Sequence, residues 1–534
     1  MTFVVVVADS IDEQGIDLLR KEPDFEVVST VGDAERLPRE LSRAQALLVR
    51  SSTRVTEELL AHAPHLRVIG RAGIGVDNID VQAATRRGIA VINAPGANTV
   101  SAAEHAFALL LALVRRVPWA SASMRKGEWD RKSFGGTELR GKVLGLVGLG
   151  RIGAHVSGIA LAFGMDVIAY DPVLSDERAK QLHVDLVELD DLLERADVIS
   201  LHAPITDETR HLLNKRRLAL MKPTAVVINT ARGGLIDTDA LCEAVESGKL
   251  AGAALDVFDP EPLACDSPLR NCGNIILTPH LAASTQEAQA RVSVEISRSV
   301  RDALRTGDVG RAINVPGVSS DVLARSRVAL DLARRIGGVA AALARGPVQV
   351  VEVDYGGRDD GAPKPVMLAA LEGVLRSIGV DSVSLINAGL LAEERDISVY
   401  RRIGKPDGDY ETTVGVTVET PGRKTTVVGA LAANQESRIT RIDEYRVDIP
   451  PANDVLILKN IDVPGIIERV ESVLRDGDVH IDFRHQWRLD GAGTEALAAL
   501  ALDQPPSREL LSKLEELPDV LDVWLVSSDN GGGS

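Results

Sequence analysis

The sequence predicts an α/β protein of doubly wound parallel sheets followed by two smaller α+β units. Three patterns carry this expectation. Residues 143–153, VLGLVGLGRIG, run a short apolar strand into a G-x-G-x-x-G turn. A helical stretch, AHVSGIALAFG, and a second strand, MDVIAY, follow it, the order that winds a parallel sheet. Short β-rich runs also alternate with amphipathic segments through the first part of the chain. The end, 455–527, instead reads strand, helix, strand, strand, helix, strand, the βαββαβ order of a ferredoxin-like unit.

Taken in order, VVVVADS, FEVVST, ALLVRSS, LRVIGRAG and AVINAP are the first predicted strands, with helical patterns between them. NAPGAN leads into a long helix predicted over 101–117. After the glycine turn and MDVIAY, the strand candidates are ADVISLHAP, AVVINTA, GAALDVF and IILTPH. A helix over 286–306 ends near NVPG, and residues 318–346 form an Ala- and Arg-rich helical stretch. PVQVVEVDY is a strand, 364–378 a helix, and a β-rich run continues to about residue 450. PPAND (450–454) reads as a linker and the final DNGGGS as a flexible tail.

At 534 residues the chain needs several cores. Hydrophobic residues are 45% and charged residues 26%, an ordinary globular balance. A net charge of −17 argues against a nucleic-acid surface, yet leaves room for a locally basic pocket. Three cysteines give no disulfide framework and no metal-ligand spacing, which fits a reducing cytoplasm. MTFVVVVADS lacks a basic leader region and reads as a first buried strand. AFALLLALV is too short to cross a bilayer, so no membrane partner is expected.

The glycine turn points to a dinucleotide. Gly148 permits the tight turn, Gly150 lets a pyrophosphate approach the backbone, and Gly153 lets helix and strand pack closely. The helix N-terminus favours the anion. Asp171, at the end of MDVIAY, is placed to accept hydrogen bonds from ribose hydroxyls and to repel a 2′-phosphate, which favours NAD over NADP. Further on, Arg232, Glu261 and His280 stand in NTARGGLID, LDVFDPEP and LTPHLAAST. An Arg clamps a carboxylate in two parallel hydrogen bonds. A His moves a proton to or from a hydroxyl, and a Glu on its far ring nitrogen fixes the tautomer. With a hydride acceptor, this set suits reversible oxidation of a 2-hydroxy acid.

These phrases, with RAGIGVDNID and NAPGANTVSAAEHAFALLL, resemble the D-isomer-specific 2-hydroxyacid dehydrogenase family over roughly residues 1–315. LINAGLLAEERDI and NIDVPGIIERVESVL resemble the two extra C-terminal domains of its long form, an intervening domain and an ACT domain. The resemblance implies a discontinuous, flavodoxin-like substrate domain (1–97 and 286–317), a Rossmann NAD domain (98–285), an intervening domain (318–450) and an ACT domain with its tail (451–534). It implies oxidation of D-3-phosphoglycerate to 3-phosphohydroxypyruvate, the first step of L-serine synthesis, in a cytoplasmic dimer or tetramer. Another D-2-hydroxy acid, or NAD sensing without catalysis, are the alternatives.

The same resemblance assigns residues. Arg151, Ile152, Thr230 and Ala283 join the cofactor set. Asp256 either holds the carboxamide or is a buried capping residue. Arg50, with Ser51 beside it, binds substrate phosphate or is a solvated surface residue. Arg71 is a second anion ligand, with Gly73 in a loop whose N–H groups receive the carboxylate. Asn98 reaches the substrate or only caps the interdomain helix. Arg131 is of the kind supplied across a dimer interface. His202 packs near the cofactor and His105 is structural. Ala282 replaces a usual glycine and should add a methyl near the nicotinamide. An amino-acid effector would meet Asn460, Asp462 and His480. His480 stands where an Asn amide is expected, so the response to L-serine should be weak.

Overall fold

The computed structural model describes residues 2–315, 317–408, 410–432, 434, 436–450, 454–488 and 495–527. Most of the expected linker PPAND and all of DNGGGS lie outside the described residues.

The first sheet has five parallel strands in the order Phe25–Ser29, Phe3–Val7, Ala46–Val49, Val68–Arg71, Ala90–Asn93. This is the flavodoxin-like order. Its strands are short, Val- and Ala-rich and buried on both faces, as a sheet covered by helices requires. One cover is the helix Gln286–Thr306, which arrives from far along the chain. Its Val292, Ile296, Val300 and Ala303 share a core with Val5, Leu48 and Ile92.

The second sheet has seven parallel strands. Val143–Val147 lies inside it, with Asp166–Tyr170 and Asp185–Leu186 on one side. Val198–Leu201, Val226–Asn229, Gly252–Leu255 and Ile275–Leu277 follow on the other. The winding reverses between Val143–Val147 and Val198–Leu201, the switch point where such sheets bind ligands. Asp185–Leu186 is a strand the sequence pattern did not announce. The helix expected over 101–117 spans Thr99–Val114 instead. Arg116 turns left-handed, with φ 55°, and a new helix, Val117–Arg125, starts with proline in its first turn.

The third sheet is mixed. Ser398–Gly404 pairs in parallel with Val350–Gly356, and Thr412–Thr420, Arg423–Leu431, Ser437–Ile442 and Tyr445–Ile449 continue it antiparallel. The helices Arg327–Ala344 and Pro363–Ser377 bury their apolar faces in its core. LINAGLLAEERDI holds a short helix, Ala388–Glu393, absent from the sequence expectation. Asn387 beside it is fully buried and donates to the carbonyl of Arg86 at 3.2 Å, tying this unit to the first sheet.

The last sheet is antiparallel, ordered Ile481–Arg488, Glu495–Leu502, Asp454–Ile461, Val520–Ser527, the ferredoxin-like arrangement expected. Ile466–Asp476 and Arg508–Glu515 cover one face through Val470, Leu474, Leu510 and Leu514. The other face, with Ile457, Ala499 and Trp524, joins the core of the third unit. Arg345 and Arg423 lie over the Trp524 ring at 5.5 and 5.1 Å. Among the described residues no helix is long and apolar enough to cross a membrane, and no group of three His, Cys, Asp or Glu could hold a metal ion.

Candidate active site

The glycine turn leaves the carboxyl end of Val143–Val147. Gly148 has φ 93°, and a Cβ there would press to 2.9 Å against the His202 backbone. A Cβ at Gly153 would collide with the Gly148 carbonyl, so helix and turn meet backbone to backbone. Gly150 caps the helix Arg151–Ala162 without a side-chain hydrogen bond and has nothing within 4 Å of its would-be Cβ. The first-turn N–H groups therefore face open space, with Arg151 exposed and Ile152 half-buried. Asp171 sits beside the turn. Its Oδ2 accepts Leu149 N at 2.9 Å and its Oδ1 accepts Val173 N and Leu174 N at 3.0 and 3.2 Å. Thr230 is buried and its Oγ1 has no partner. His202, hydrogen-bonded to Ser200 Oγ at 2.9 Å, is pushed down to about 4 by burial. Half-buried Ala283 accepts Gln289 Nε2 at 2.6 Å. An uncapped helix N-terminus, a cradle that a side chain would fill and an unpartnered hydroxyl fit a dinucleotide.

Arg232, Glu261 and His280 come together at the carboxyl ends of three neighbouring strands. Buried Asn229 folds the first turn: Oδ1 accepts Ala231 N at 3.1 Å and Nδ2 donates to Arg232 O at 2.8 Å. Arg232 donates from Nη1 to its neighbour's carbonyl, Ala231 O, at 2.7 Å and from Nε to Asp77 Oδ2 at 3.0 Å. Glu261 accepts Phe258 N through Oε1 at 3.0 Å and meets His280 Nδ1 through Oε2 at 2.8 Å. Burial pushes the Glu261 carboxyl up, but the bonds from His280 and Phe258 N and the Arg232 charge leave it below the usual carboxylate range. It is therefore ionised at neutral pH. With Nδ1 engaged, Nε2 of the half-exposed His280 is the atom left for a substrate.

His280 is held in the left-handed region, φ 54°, by Asp256. His280 N donates to Asp256 O at 2.9 Å, while the Asp256 carboxylate accepts Leu281 N at 2.8 Å and Ala282 N at 2.9 Å. It also accepts Thr278 Oγ1 at 2.5 Å and shares a 3.1 Å bond with His105 Nε2. Burial raises the Asp256 carboxyl, and these four partners bring it below its ordinary value. Both oxygens are thus occupied by protein and the residue is fully buried. It shapes the His280 turn, the capping role among the two expected for it. Ala282 is only 5% exposed, so its methyl is packed by protein. Ser101 Oγ donates to its carbonyl at 2.7 Å.

The first sheet turns arginines toward the same cleft. Arg71 is pushed down to about 10 by burial and then by the charges of Arg232 and Arg50, with Asp77 and Asp9 opposing. Its Nη1 donates to Ala72 O at 3.2 Å and its Nε is buried without a partner. A Cβ at Gly73 would collide with that guanidinium. Burial also lowers Arg50, against the pull of Asp9. Arg50 N donates to Asp9 Oδ2 at 2.6 Å, and Asn78 Nδ2 donates to Arg50 O at 2.9 Å and Thr53 O at 2.6 Å, binding the two loops together. Ser51 is exposed beside them. Asn98 is buried, does not cap its helix through its side chain and leaves Oδ1 unpartnered. Arg131 is exposed, and among the described residues no hydrogen bond or ion pair ties it to this cleft. Asp9, Asp77, Asn78, Asn229 and Thr278 were missed from sequence, while His105, read as structural, bonds Asp256. Asp9, Asn229 and Thr278 lie near the carboxyl ends of predicted strands, the position where sheets of this class bind ligands.

In the last unit a groove of about 670 Å³ is lined by Asp462, Gly465, Glu468, Arg484, Gln486 and Arg488. Arg488 Nε pairs with Asp462 Oδ2 at 2.5 Å. Asn460 is buried beneath with Oδ1 unpartnered. His480 does not join them within one chain. It precedes Ile481, which pairs with Leu502, whereas Arg488 at the groove end pairs with Ala496. An eight-residue strand separates the two ends by roughly 20 Å.

Two facing parallel sheets, a dinucleotide turn and an Arg–Glu–His set define an NAD-dependent dehydrogenase of D-2-hydroxy acids. Residues 107–282 match the D-isomer specific 2-hydroxyacid dehydrogenase NAD binding domain, and residues 327–443 match the D-3-phosphoglycerate dehydrogenase intervening domain. The chain is 42% identical over 524 residues to D-3-phosphoglycerate dehydrogenase of Synechocystis sp., covering 98% of this chain and 94% of that protein. It is 39% identical over 526 residues to that of Bacillus subtilis, covering 98% and 99%. Among solved structures it resembles D-lactate dehydrogenase from Aquifex aeolicus complexed with NAD and lactic acid (34% identity, TM-score 0.51, 58% of this chain and 97% of that one). It also resembles NAD-dependent formate dehydrogenase from Staphylococcus aureus in complex with NAD (31% identity, TM-score 0.52, 57% and 96%). The chain belongs to the D-3-phosphoglycerate dehydrogenase family.

Proposed function

We propose that the protein oxidises D-3-phosphoglycerate to 3-phosphohydroxypyruvate with NAD, the first step of L-serine synthesis. The observation that carries this is the ionised Glu261 on His280 Nδ1, with Arg232 beside the pair and Arg71 and Arg50 across the cleft. Arg232 holds the substrate carboxylate. His280 Nε2 takes the hydroxyl proton as the carbinol hydrogen leaves as hydride. Glu261 fixes the tautomer that keeps Nε2 free and stabilises the imidazolium that forms. Arg50 and Arg71, with Ser51 beside them, receive the phosphate end, since a doubly charged phosphate rewards several guanidiniums, while the N–H groups of the Gly73 loop meet the carboxylate and Asn98 reaches the substrate. NAD supplies the hydride acceptor, with Gly148, Gly150, Arg151, Ile152, Gly153, Asp171, Thr230 and Ala283 as its binding residues. Closure of the two sheets' loops over the ligands excludes water.

The same proposal divides the chain into the discontinuous substrate domain, NAD domain, intervening domain and ACT domain described above. The enzyme works in the cytoplasm as a homo-oligomer, and Arg131 acts across its interface. The strand Ile481–Arg488 lies at a sheet edge. Two copies paired antiparallel along it would bring His480 of one copy toward Asp462 and Asn460 of the other, where an amino-acid effector would bind.

Steady-state kinetics with phosphorylated and unphosphorylated 2-hydroxy acids tests the function. D-3-phosphoglycerate with NAD should have the highest kcat/KM, and His280→Ala should lower kcat by about two to four orders of magnitude. Equal use of D-lactate or D-glycerate would overturn the substrate, and near-normal turnover by His280→Ala would overturn the mechanism.

A further inference from the structure

Asp77 lies in the loop that follows strand Val68–Arg71 of the first sheet, and Arg232 follows strand Val226–Asn229 of the second. They lie 155 residues apart in sequence, yet Arg232 Nε donates to Asp77 Oδ2 at 3.0 Å. The contact spans the cleft. It is also close: a Cβ at Gly75 would collide with Arg232 Nη2. The Asp77 side chain is 61% exposed, against 31% for Arg232, so this carboxylate comes from the open side. Around it stand three guanidiniums, Arg50, Arg71 and Arg232, whose mutual repulsion Asp77 and Asp9 oppose. Asp9 is buried and committed to Arg50 N, Thr53 N and Thr53 Oγ1, so it cannot move. Asp77 can.

We propose that Asp77 is a resident carboxylate that occupies Arg232 in the ligand-free cleft and is displaced when the substrate's carboxylate arrives. This rests on the reading that Arg232 takes the substrate carboxylate. A carboxylate already bound to Arg232 spares the arginine group uncompensated repulsion and holds its fork beside the cleft. It also competes with the substrate, so every productive binding event exchanges one carboxylate for another. Asp77 is thus a positioning residue, and its removal should strengthen substrate binding while leaving the cofactor untouched.

The test uses the full-length enzyme and three variants, Asp77→Asn, Asp77→Glu and Arg232→Ala. A partly exposed ion pair shifts an equilibrium about two- to fivefold. Asp77→Asn should therefore lower KM for D-3-phosphoglycerate by that factor, with KM for NAD unchanged. Oxalate, titrated into the NADH complex by calorimetry, should bind tighter by the same factor. The gain should shrink at high salt, which screens exposed charges. Asp77→Glu should stay near the unmutated enzyme. In an Arg232→Ala background, Asp77→Asn should have no further effect on oxalate, since the coupled partner is gone. A merely structural Asp77 would give a raised KM and weaker oxalate binding. That result, or an unchanged affinity, would overturn the proposal. Lack of turnover of D-3-phosphoglycerate by the unmutated enzyme would instead overturn the substrate assignment, while the oxalate titration would still read the Asp77–Arg232 exchange.

Discussion

His202 should make the folded protein acid-sensitive in a defined window. It follows strand Val198–Leu201, donates its backbone N–H to Val147 O at 2.8 Å and presses its backbone against Gly148. Burial pushes its imidazole down from the ordinary 6.5 to about 4. The folded state thus refuses a proton that the unfolded chain accepts. Above pH 6.5 the residue contributes nothing to the pH dependence of stability. As pH falls below 6.5 the unfolded state is favoured, until the folded imidazole protonates near 4. Each pH unit inside that window is worth up to about 1.36 kcal/mol, so the loss reaches about 2 kcal/mol at pH 5 and about 3 kcal/mol at pH 4. The measurement is urea unfolding of the unmutated protein and of His202→Gln between pH 7 and pH 4. Glutamine keeps a polar group near Ser200 Oγ and cannot titrate. The difference in stability between the two proteins should narrow, or turn in favour of the variant, by about 2–3 kcal/mol over that range. Parallel pH curves for the two would refute the reasoning.

Two further substitutions read the cofactor turn. Gly153→Ala should separate the helix Arg151–Ala162 from Gly148, destabilising the protein by about 1–3 kcal/mol. KM for NAD should rise more than KM for substrate, and an unchanged melting temperature and KM would argue that the turn is looser than described. Asp171→Ala removes the acceptor for Leu149 N, Val173 N and Leu174 N together with the repulsion toward a 2′-phosphate. The ratio of kcat/KM for NAD to that for NADP should fall, and an unaltered ratio would remove Asp171 from ribose recognition.

What was legible in the sequence was whatever is encoded within one strand–turn–helix unit. The glycine spacing marks Gly148 and Gly153 because both requirements, a left-handed turn and a backbone contact, are local. Arg232, Glu261 and His280 were legible because each follows a strand of one parallel sheet. Parallel neighbours in register bring their carboxyl ends to one edge. The residues that were missed act across long separations. Asp9 reaches Arg50 N over 41 residues, and Asp77 reaches Arg232 over 155. Nothing within either segment announces the partner. His480 adds what a single chain leaves unread: its position just before a strand was legible, and antiparallel pairing puts that strand's start at the sheet end opposite Asp462 of the same chain. Asp256 was legible as a polar residue at a strand end, but its four protein partners, drawn from other segments, were not.

The division of labour between the two parallel sheets explains why the site cannot exist in either alone. Arg50 follows and Arg71 ends a strand of the first sheet, and their loops are tied by Asp9 and Asn78 into one rim. The second sheet carries the glycine turn, the His280–Glu261 pair and Arg232. Burial lowers Arg71 most, and the neighbouring charges of Arg232 and Arg50 lower it further, so these guanidiniums oppose one another. The His280–Glu261 pair without the first sheet has only Arg232 beside it. The helix Gln286–Thr306 resolves this by returning the chain from the second sheet into the core of the first. The last strand of the second sheet, Ile275–Leu277, leads directly through His280 into that helix. His280 therefore sits beside one of the two chain connections between the units, the other running from Ala90–Asn93 into the helix Thr99–Val114. A motion that opens or closes the cleft would bend the chain at these two places, one of them next to His280.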